Sequence, residues 1–244
     1  MKMKQLLSLV RRAVDDYSLI EDGDRIAVGI SGGKDSLTLL LALKSLQRFY
    51  PKRFEIEAIT VDLGFKGMDF TPVVEFCKSI DVNYSIVKTD IGEIVFKERE
   101  EKNPCALCAK MRKGALNNKV EELNCNKIAL GHNKDDVIET FLMSLLYEGR
   151  IHCFKPYTYL SRMKIASIRP LIYINEMDIR NFVNREGLPV VKNKCEVDGK
   201  TKREYIKLMV KEFAQRFDNF EDRTFNAIKR SHIEGWGKDS NGLS

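Results

Sequence analysis

Three groups of residues have the types and spacing to do chemistry. The first is Ser31-Gly32-Gly33-Lys34-Asp35-Ser36, which follows the apolar Ile26, Ala27, Val28 and Ile30 and precedes Leu37, Leu39, Leu40, Leu41, Leu43 and Leu46. That order reads as a buried strand, a glycine turn and a buried helix. A helix N-terminus offers unpaired amides and the positive end of its dipole, so the turn is suited to an anion such as a phosphate. Gly32 and Gly33 let the backbone come close, Ser31 and Ser36 add hydroxyls, and Lys34 adds a cation. The spacing is not Gly-x-x-x-x-Gly-Lys-Ser/Thr, nor the dinucleotide Gly-x-Gly-x-x-Gly. A plain glycine turn capped by Ser and Asp is the bland alternative.

The second group is the cysteines. Cys105 and Cys108 have a Cys-x-x-Cys spacing that lets two thiolates chelate one metal or cluster. Cys195 sits in a polar, lysine-flanked stretch, where neighbouring cations favour a thiolate. Cys77 and Cys125 fall among helix-like apolar positions and read as core residues. Cys153, His132 and His152 are further candidate ligands. Three thiolates suit an iron–sulfur cluster with one iron left open; zinc and a redox pair are the alternatives, and spacing alone does not choose among them.

The third group is Gly131-His132-Asn133-Lys134-Asp135-Asp136, just past the apolar Ile128 to Leu130. Two carboxylates opening a helix are favoured by its dipole, and they could also hold Mg²⁺ against phosphates.

These residues need a scaffold. Apolar spacing predicts helices at 5–17, 34–49, 70–80, 104–123, 137–146, 175–186 and 201–217. Strands are predicted at 26–30, 54–62, 83–88, 128–130 and 164–169, with a loop through Pro156, Tyr157 and Tyr159. The alternation makes the fold α/β, a Rossmann-like parallel sheet with right-handed crossovers. Ligands of such sheets sit beyond the carboxyl ends of strands, so the backbone at Val61 and Asp62 is a place for an adenine or ribose. The expected division is an N-terminal helix at 1–23, a domain carrying the phosphate turn at 24–172, and a mostly helical region at 173–244 carrying Cys195. From Trp236 onward a polar tail is expected to fray.

Of 244 residues, 43% are hydrophobic and 31% charged, so the chain is expected to be globular rather than disordered. No apolar run approaches the roughly 20 residues of a membrane helix. The N-terminus lacks the apolar stretch and cleavage site of a secretory signal, and cysteines without export read as thiols or ligands. A cytoplasmic location is therefore expected. The net charge of +6 suits a polyanionic partner. The mixed run at 97–102 reads as a solvated surface, whereas Lys192, Lys194, Lys200, Lys202, Arg203, Lys207 and Lys211 are read, with the basic ends of the 5–17 helix, as a grip on a polyanion.

Together these motifs resemble a known family. Leu19-Ile20 to Arg25, the 31–36 string, Cys105 to Cys108 with Arg112-Lys113-Gly114, Lys127 to Asp136, and Ile168 to Leu171 are similar to the TtcA family of PP-loop tRNA 2-thiocytidine synthetases. The likeness runs over roughly residues 15 to 230. It implies ATP, Mg²⁺, a [4Fe-4S] cluster, tRNA, and a sulfur donor that is a cysteine desulfurase or free sulfide; it alone suggests a homodimer. Carried over, Ser31 to Ser36 bind the pyrophosphate end of ATP, and Val61, Asp62, Gly131, His132 and Asp136 line the nucleotide. Asp135 and Asp136 face Mg²⁺, while Cys105, Cys108 and Cys195 hold the cluster. Lys34 and Asp35 join those cysteines as the catalytic set. The family's second Cys-x-x-Cys is reduced here to Cys195, and its Pro-Pro segment to Phe154-Lys155-Pro156-Tyr157. Action on another RNA base or a small molecule, and a zinc-containing ATP-binding module, are the rival expectations.

Overall fold

The computed structural model describes residues 1–95, 104–191 and 202–237. Helix α1 (Met3–Asp16) leads into β1 (Asp24–Gly29), α2 (Lys34–Leu46), β2 (Phe54–Asp62), α3 (Thr71–Ser79) and β3 (Asn83–Lys88). A short turn, α4 (Ile91–Glu93), and α5 (Pro104–Glu122) come before β4 (Lys127–Ala129) and α6 (Lys134–Glu148). Next come β5 (Tyr157–Leu160), β6 (Ile165–Ile168), α7 (Glu176–Glu186), α8 (Lys202–Arg216) and α9 (Phe220–Arg230).

The strands form one sheet in the order β3-β2-β1-β4-β6-β5. All neighbours run parallel except β5 and β6. The chain moves outward from β1 to β3, then returns to lay β4 on the other side of β1. Strand order therefore reverses between β1 and β4, the position where open α/β sheets hold ligands.

Both faces of the sheet are covered, as a parallel sheet requires. On one side Leu6, Val10 and Val14 of α1, Leu39, Leu40 and Leu43 of α2, and Ile179 and Phe182 of α7 pack on Ile26, Val28 and Ile56. On the other, Val120 of α5 and Cys125 pack on Ala27, Ile59 and Ile128. A further cluster joins Val137 and Leu142 of α6 to Ile206 and Val210 of α8, Phe225 and Ile228 of α9, and Trp236.

Two expectations change. Trp236 does not fray: it is 2% exposed, donates Nε1–H to the Phe154 carbonyl at 2.9 Å, and meets Tyr17 and Phe225 edge-on. Its large apolar surface outweighs the polarity of its neighbours. The segment around Tyr157 and Tyr159 is no loop but strand β5, paired antiparallel with β6. The charged run at 97–102, the basic Lys192, Lys194 and Lys200, and Cys195 lie outside the described residues.

Candidate active site

The turn after β1 is held by its own hydroxyls. Ser31 donates its N–H to Ser36 Oγ at 3.2 Å, Ser36 Oγ–H donates to the Gly33 carbonyl at 2.9 Å, and Gly33 N–H donates to Ser31 Oγ at 3.2 Å. Gly32 has φ +79°, a conformation that favours glycine, and its carbonyl accepts from Val191 N–H at 2.9 Å. Gly33 is the N-cap of α2 and provides no side-chain cap, so the first amides of α2 are left for a ligand.

Across the reversal point, Gly131 lies against the start of α2: a Cβ there would meet Asp35 C at 3.0 Å and Ser36 N at 3.1 Å. Asn133 caps α6 in a box with Asp136, the N–H of each accepted by the other's side-chain oxygen. The same Asn133 donates Nδ2–H to Asp35 Oδ1 at 3.0 Å, tying the two helix starts together. Asp135 Oδ2 accepts the Glu176 N–H at 2.7 Å and so caps α7, whose own N-cap Asn175 makes no side-chain bond.

A cavity of about 220 Å³ opens where the starts of α2, α6, α7 and α8 converge. Lys34, Asp35, Asp135 and Asp136 line it, together with Asn133, Glu139, Glu176, Arg203, Glu204 and Lys207. Lys34 Nζ lies 2.7 Å from Asp35 Oδ2 and 3.0 Å from Glu176 Oε1; Lys207 Nζ lies 2.6 Å from Glu176 Oε2. Arg203 reaches Asp136 Oδ1 at 3.3 Å and Glu139 Oε2 at 3.2 Å, and donates to Thr140 Oγ1. Charge balance sets the protonation states. Burial pushes Glu176 up, but bonds to Lys207 and Lys34 outweigh it and hold the carboxyl at about 2. Burial lowers Lys34, yet Asp35 and Glu176 raise it above its ordinary value. Burial raises Asp135 and Asp136, and burial with nearby Asp136 pushes Glu139 up to about 7. Such a site, with cations and carboxylates interleaved at helix N-termini, can take a metal-bound polyphosphate.

Other expected residues lie around this cavity rather than in its lining. Val61 is buried at the end of β2, and the Asp62 carboxylate accepts the Gly64 N–H at 3.0 Å. His132 stacks on Phe154 with ring centroids 4.9 Å apart, and its Nδ1 accepts from Arg169 Nε at 3.2 Å. Burial, then Arg169 and Arg203, hold its imidazole down at about 3, so it is neutral. Arg203 and Lys207, read from sequence as part of a basic grip, pair with carboxylates of the cavity.

The first turn of α5 carries Cys105, exposed, and Cys108, half-buried. Leu107, Cys108 and Met111 pack against Val61, Ile91 and Val95. A helix leading into β4 begins at the carboxyl edge of the sheet, so these thiols share that edge with the phosphate turn. Arg112 is pushed down by burial and partly restored by the nearby Cys108. Cys77, Cys125 and Cys153 are buried, with thiols raised by burial to about 11, 11 and 12. This removes Cys153 from the candidate ligands; its Sγ–H donates to the Val137 carbonyl.

Comparison with known proteins agrees with this arrangement. A family model described as a PP-loop domain matches residues 3–213. The tRNA-cytidine(32) 2-sulfurtransferase of Pelobacter propionicus is 36% identical over 232 residues, covering 94% of this chain and 86% of that protein. Its counterpart in Vibrio cholerae is 37% identical over 227 residues, covering 91% and 73%. Among solved structures, the U34-tRNA thiolase NcsA from Methanococcus maripaludis with its [4Fe-4S] cluster is similar in fold. Its TM-score is 0.75 at 23% identity, over 93% of this chain and 79% of that one. With the phosphate turn at the strand-order reversal, this chain belongs to the PP-loop family, in the group of the tRNA-cytidine(32) 2-sulfurtransferases.

Proposed function

We propose that this protein is an ATP-dependent sulfurtransferase that converts a cytidine in tRNA to 2-thiocytidine. The observation that carries this reading is the sharing of one sheet edge by the phosphate turn with its cavity and by the exposed Cys105 and half-buried Cys108. The names of its relatives support the substrate.

In this reading the base's C2 oxygen attacks the α-phosphorus of ATP. The bond from that phosphorus to the bridging oxygen breaks, and pyrophosphate leaves. The first amides of α2 and the Lys34 ammonium offset the charge developing on it, and one such donor is worth roughly 10²–10³-fold in rate. Attachment of AMP turns the C2 oxygen into a good leaving group. C2 then takes sulfur, its bond to that oxygen breaks, and AMP departs.

Asp35, Asp135 and Asp136 are the carboxylates that would hold Mg²⁺ against the phosphates. Cys105, exposed, and Cys108, half-buried, lie three residues apart on one helix where the other described cysteines are buried, and they fit two positions of a [4Fe-4S] cluster, with Cys195 as the third. Bound there, the cluster would supply an iron able to carry sulfide. Sulfur would come from a cysteine desulfurase or free sulfide, in the cytoplasm. A homodimer would be consistent with the exposed Leu146, Tyr205 and Leu208. The net charge of +6 makes tRNA affinity fall with salt.

The test is anaerobic purification with iron, sulfide and zinc analysis, an ultraviolet–visible spectrum, and nucleoside analysis of tRNA after incubation with ATP and sulfide. Iron and sulfide in near-equal amounts, lost in Cys105→Ala and Cys195→Ala along with 2-thiocytidine formation, is the expected result. Stoichiometric zinc without a broad visible band, or thiolation retained by Cys105→Ala, overturns it.

A further inference from the structure

Glu176 occupies an unusual place for a carboxylate. It is the first residue of α7, at the helix end where an anion is favoured, and it bridges two lysines from distant segments. Oε1 is 3.0 Å from Lys34 Nζ in the phosphate turn, and Oε2 is 2.6 Å from Lys207 Nζ on α8. Two oxygens of one group, each against a different ammonium, is also how a phosphate would sit between them. All three side chains line the cavity at the start of α2.

Lys207 has no other salt-bridge partner among the described residues; Glu139 faces it at longer range, and Lys34 is near enough to repel it. Without Glu176, Lys34 would keep Asp35 at 2.7 Å, while Lys207 would face it with no salt-bridge partner among the described residues, and the space between the two ammonium groups would suit an anion. Arg203, one turn earlier on the same helix, differs because Asp136, Glu139 and Thr140 already take up its guanidinium. Glu176 also has somewhere to go. Arg180, one turn along α7, already donates to Oε1 at 3.4 Å and is largely exposed, so the carboxylate keeps a partner on its own helix when it rotates away from the lysines.

We propose that Lys207 is a phosphate-binding residue for ATP, and that Glu176 is a built-in occupant displaced from between Lys34 and Lys207 by the pyrophosphate end of the nucleotide. This rests on the reading that ATP places its phosphates in this cavity. It adds a ligand-binding cation from outside the phosphate motif and gives a role to the second carboxylate that Lys34 meets beside Asp35.

The experiment is calorimetric titration of the full-length protein with magnesium pyrophosphate and, separately, with AMP. It compares wild type, Lys207→Met, Lys207→Arg and Glu176→Gln, with thermal unfolding to verify each fold. Lys207→Met should weaken pyrophosphate at least about tenfold and leave AMP within about twofold, and Lys207→Arg should recover most of the loss. Glu176→Gln should tighten pyrophosphate several-fold, because the competing charge is gone. An unchanged pyrophosphate affinity in Lys207→Met, or an equal loss for AMP, overturns the role of Lys207. Weaker pyrophosphate binding in Glu176→Gln overturns displacement and makes Glu176 part of the receiving site. Wild type that binds neither AMP nor pyrophosphate defeats the underlying ATP reading itself, which separates that failure from the others.

Discussion

Gly131→Ala isolates the contact between β4's end and the phosphate turn. Gly131 has no positive φ, so an alanine meets no backbone strain there; the cost is steric. Its Cβ would lie 3.0 Å from Asp35 C, 3.1 Å from Ser36 N and 3.2 Å from Asp35 O. All three are backbone atoms of α2's first turn, so relief requires moving β4's end away from that helix. Overpacking of this kind costs roughly 1–3 kcal/mol. For a chain of this size each kcal/mol is worth about 2–4 °C, so Tm should fall by roughly 2–12 °C. Displacing the turn by about 1 Å should lower turnover on the order of 10²-fold. The control is Gly114→Ala, the same chemical change within α5, where nothing lies within 4 Å of the new methyl. There helix propensity should add up to about 1 kcal/mol of stability. The assays are calorimetric unfolding and AMP release from ATP in the presence of tRNA. Wild-type turnover in Gly131→Ala, with a Tm shift matching that of Gly114→Ala, refutes the steric reasoning.

Three other outcomes are expected. Lys127→Met should cost about 3–5 kcal/mol in urea unfolding, because it strands the buried Asp24 carboxylate 2.7 Å from the lost ammonium; adding Asp24→Asn should return most of that, and strict additivity would count against the pairing. Trp236→Ala should cost about 3–5 kcal/mol by the same measurement, since it empties the contact shared by Tyr17 and Phe225; a change under about 1 kcal/mol contradicts the burial. His132 has a folded-state value near 3, below its ordinary 6.5, so only the unfolded chain takes up its proton as pH falls below 6.5. Its contribution is thus intact above pH 6.5 and is lost progressively on acidification towards 3; NMR should find no His132 titration above pH 5, and a midpoint near 6 would contradict the geometry.

Much of the fold was legible because its strands are continuous apolar runs and its helices repeat at three and four. What escaped was weakly patterned. β5 is a four-residue edge strand with alternate residues exposed, preceded by Pro156, and looks like loop until β6 pairs with it. α9 buries only Phe225 and Ile228 amid charges, too little apolar signal for a helix. In the site, residues contiguous in sequence were readable: the 31–36 turn and the 131–136 segment each carry their own spacing. Glu176 and Lys207 carry none. A lysine on a helix looks the same in sequence whether it faces solvent, RNA or a carboxylate across a cavity, and only packing of α8 on α6 decides.

The separation between Lys34 and Lys207 also sets an order in time. At about 5–20 residues per second, a ribosome releases α8 roughly 10–35 s after the phosphate turn. During that interval the turn lacks its distant cation, for most of it Glu176 as well, and the cavity is incomplete. With ATP in the proposed place, nucleotide consumption waits until translation has passed the last helix that walls the cavity, and a chain stalled before α8 should be unable to burn ATP.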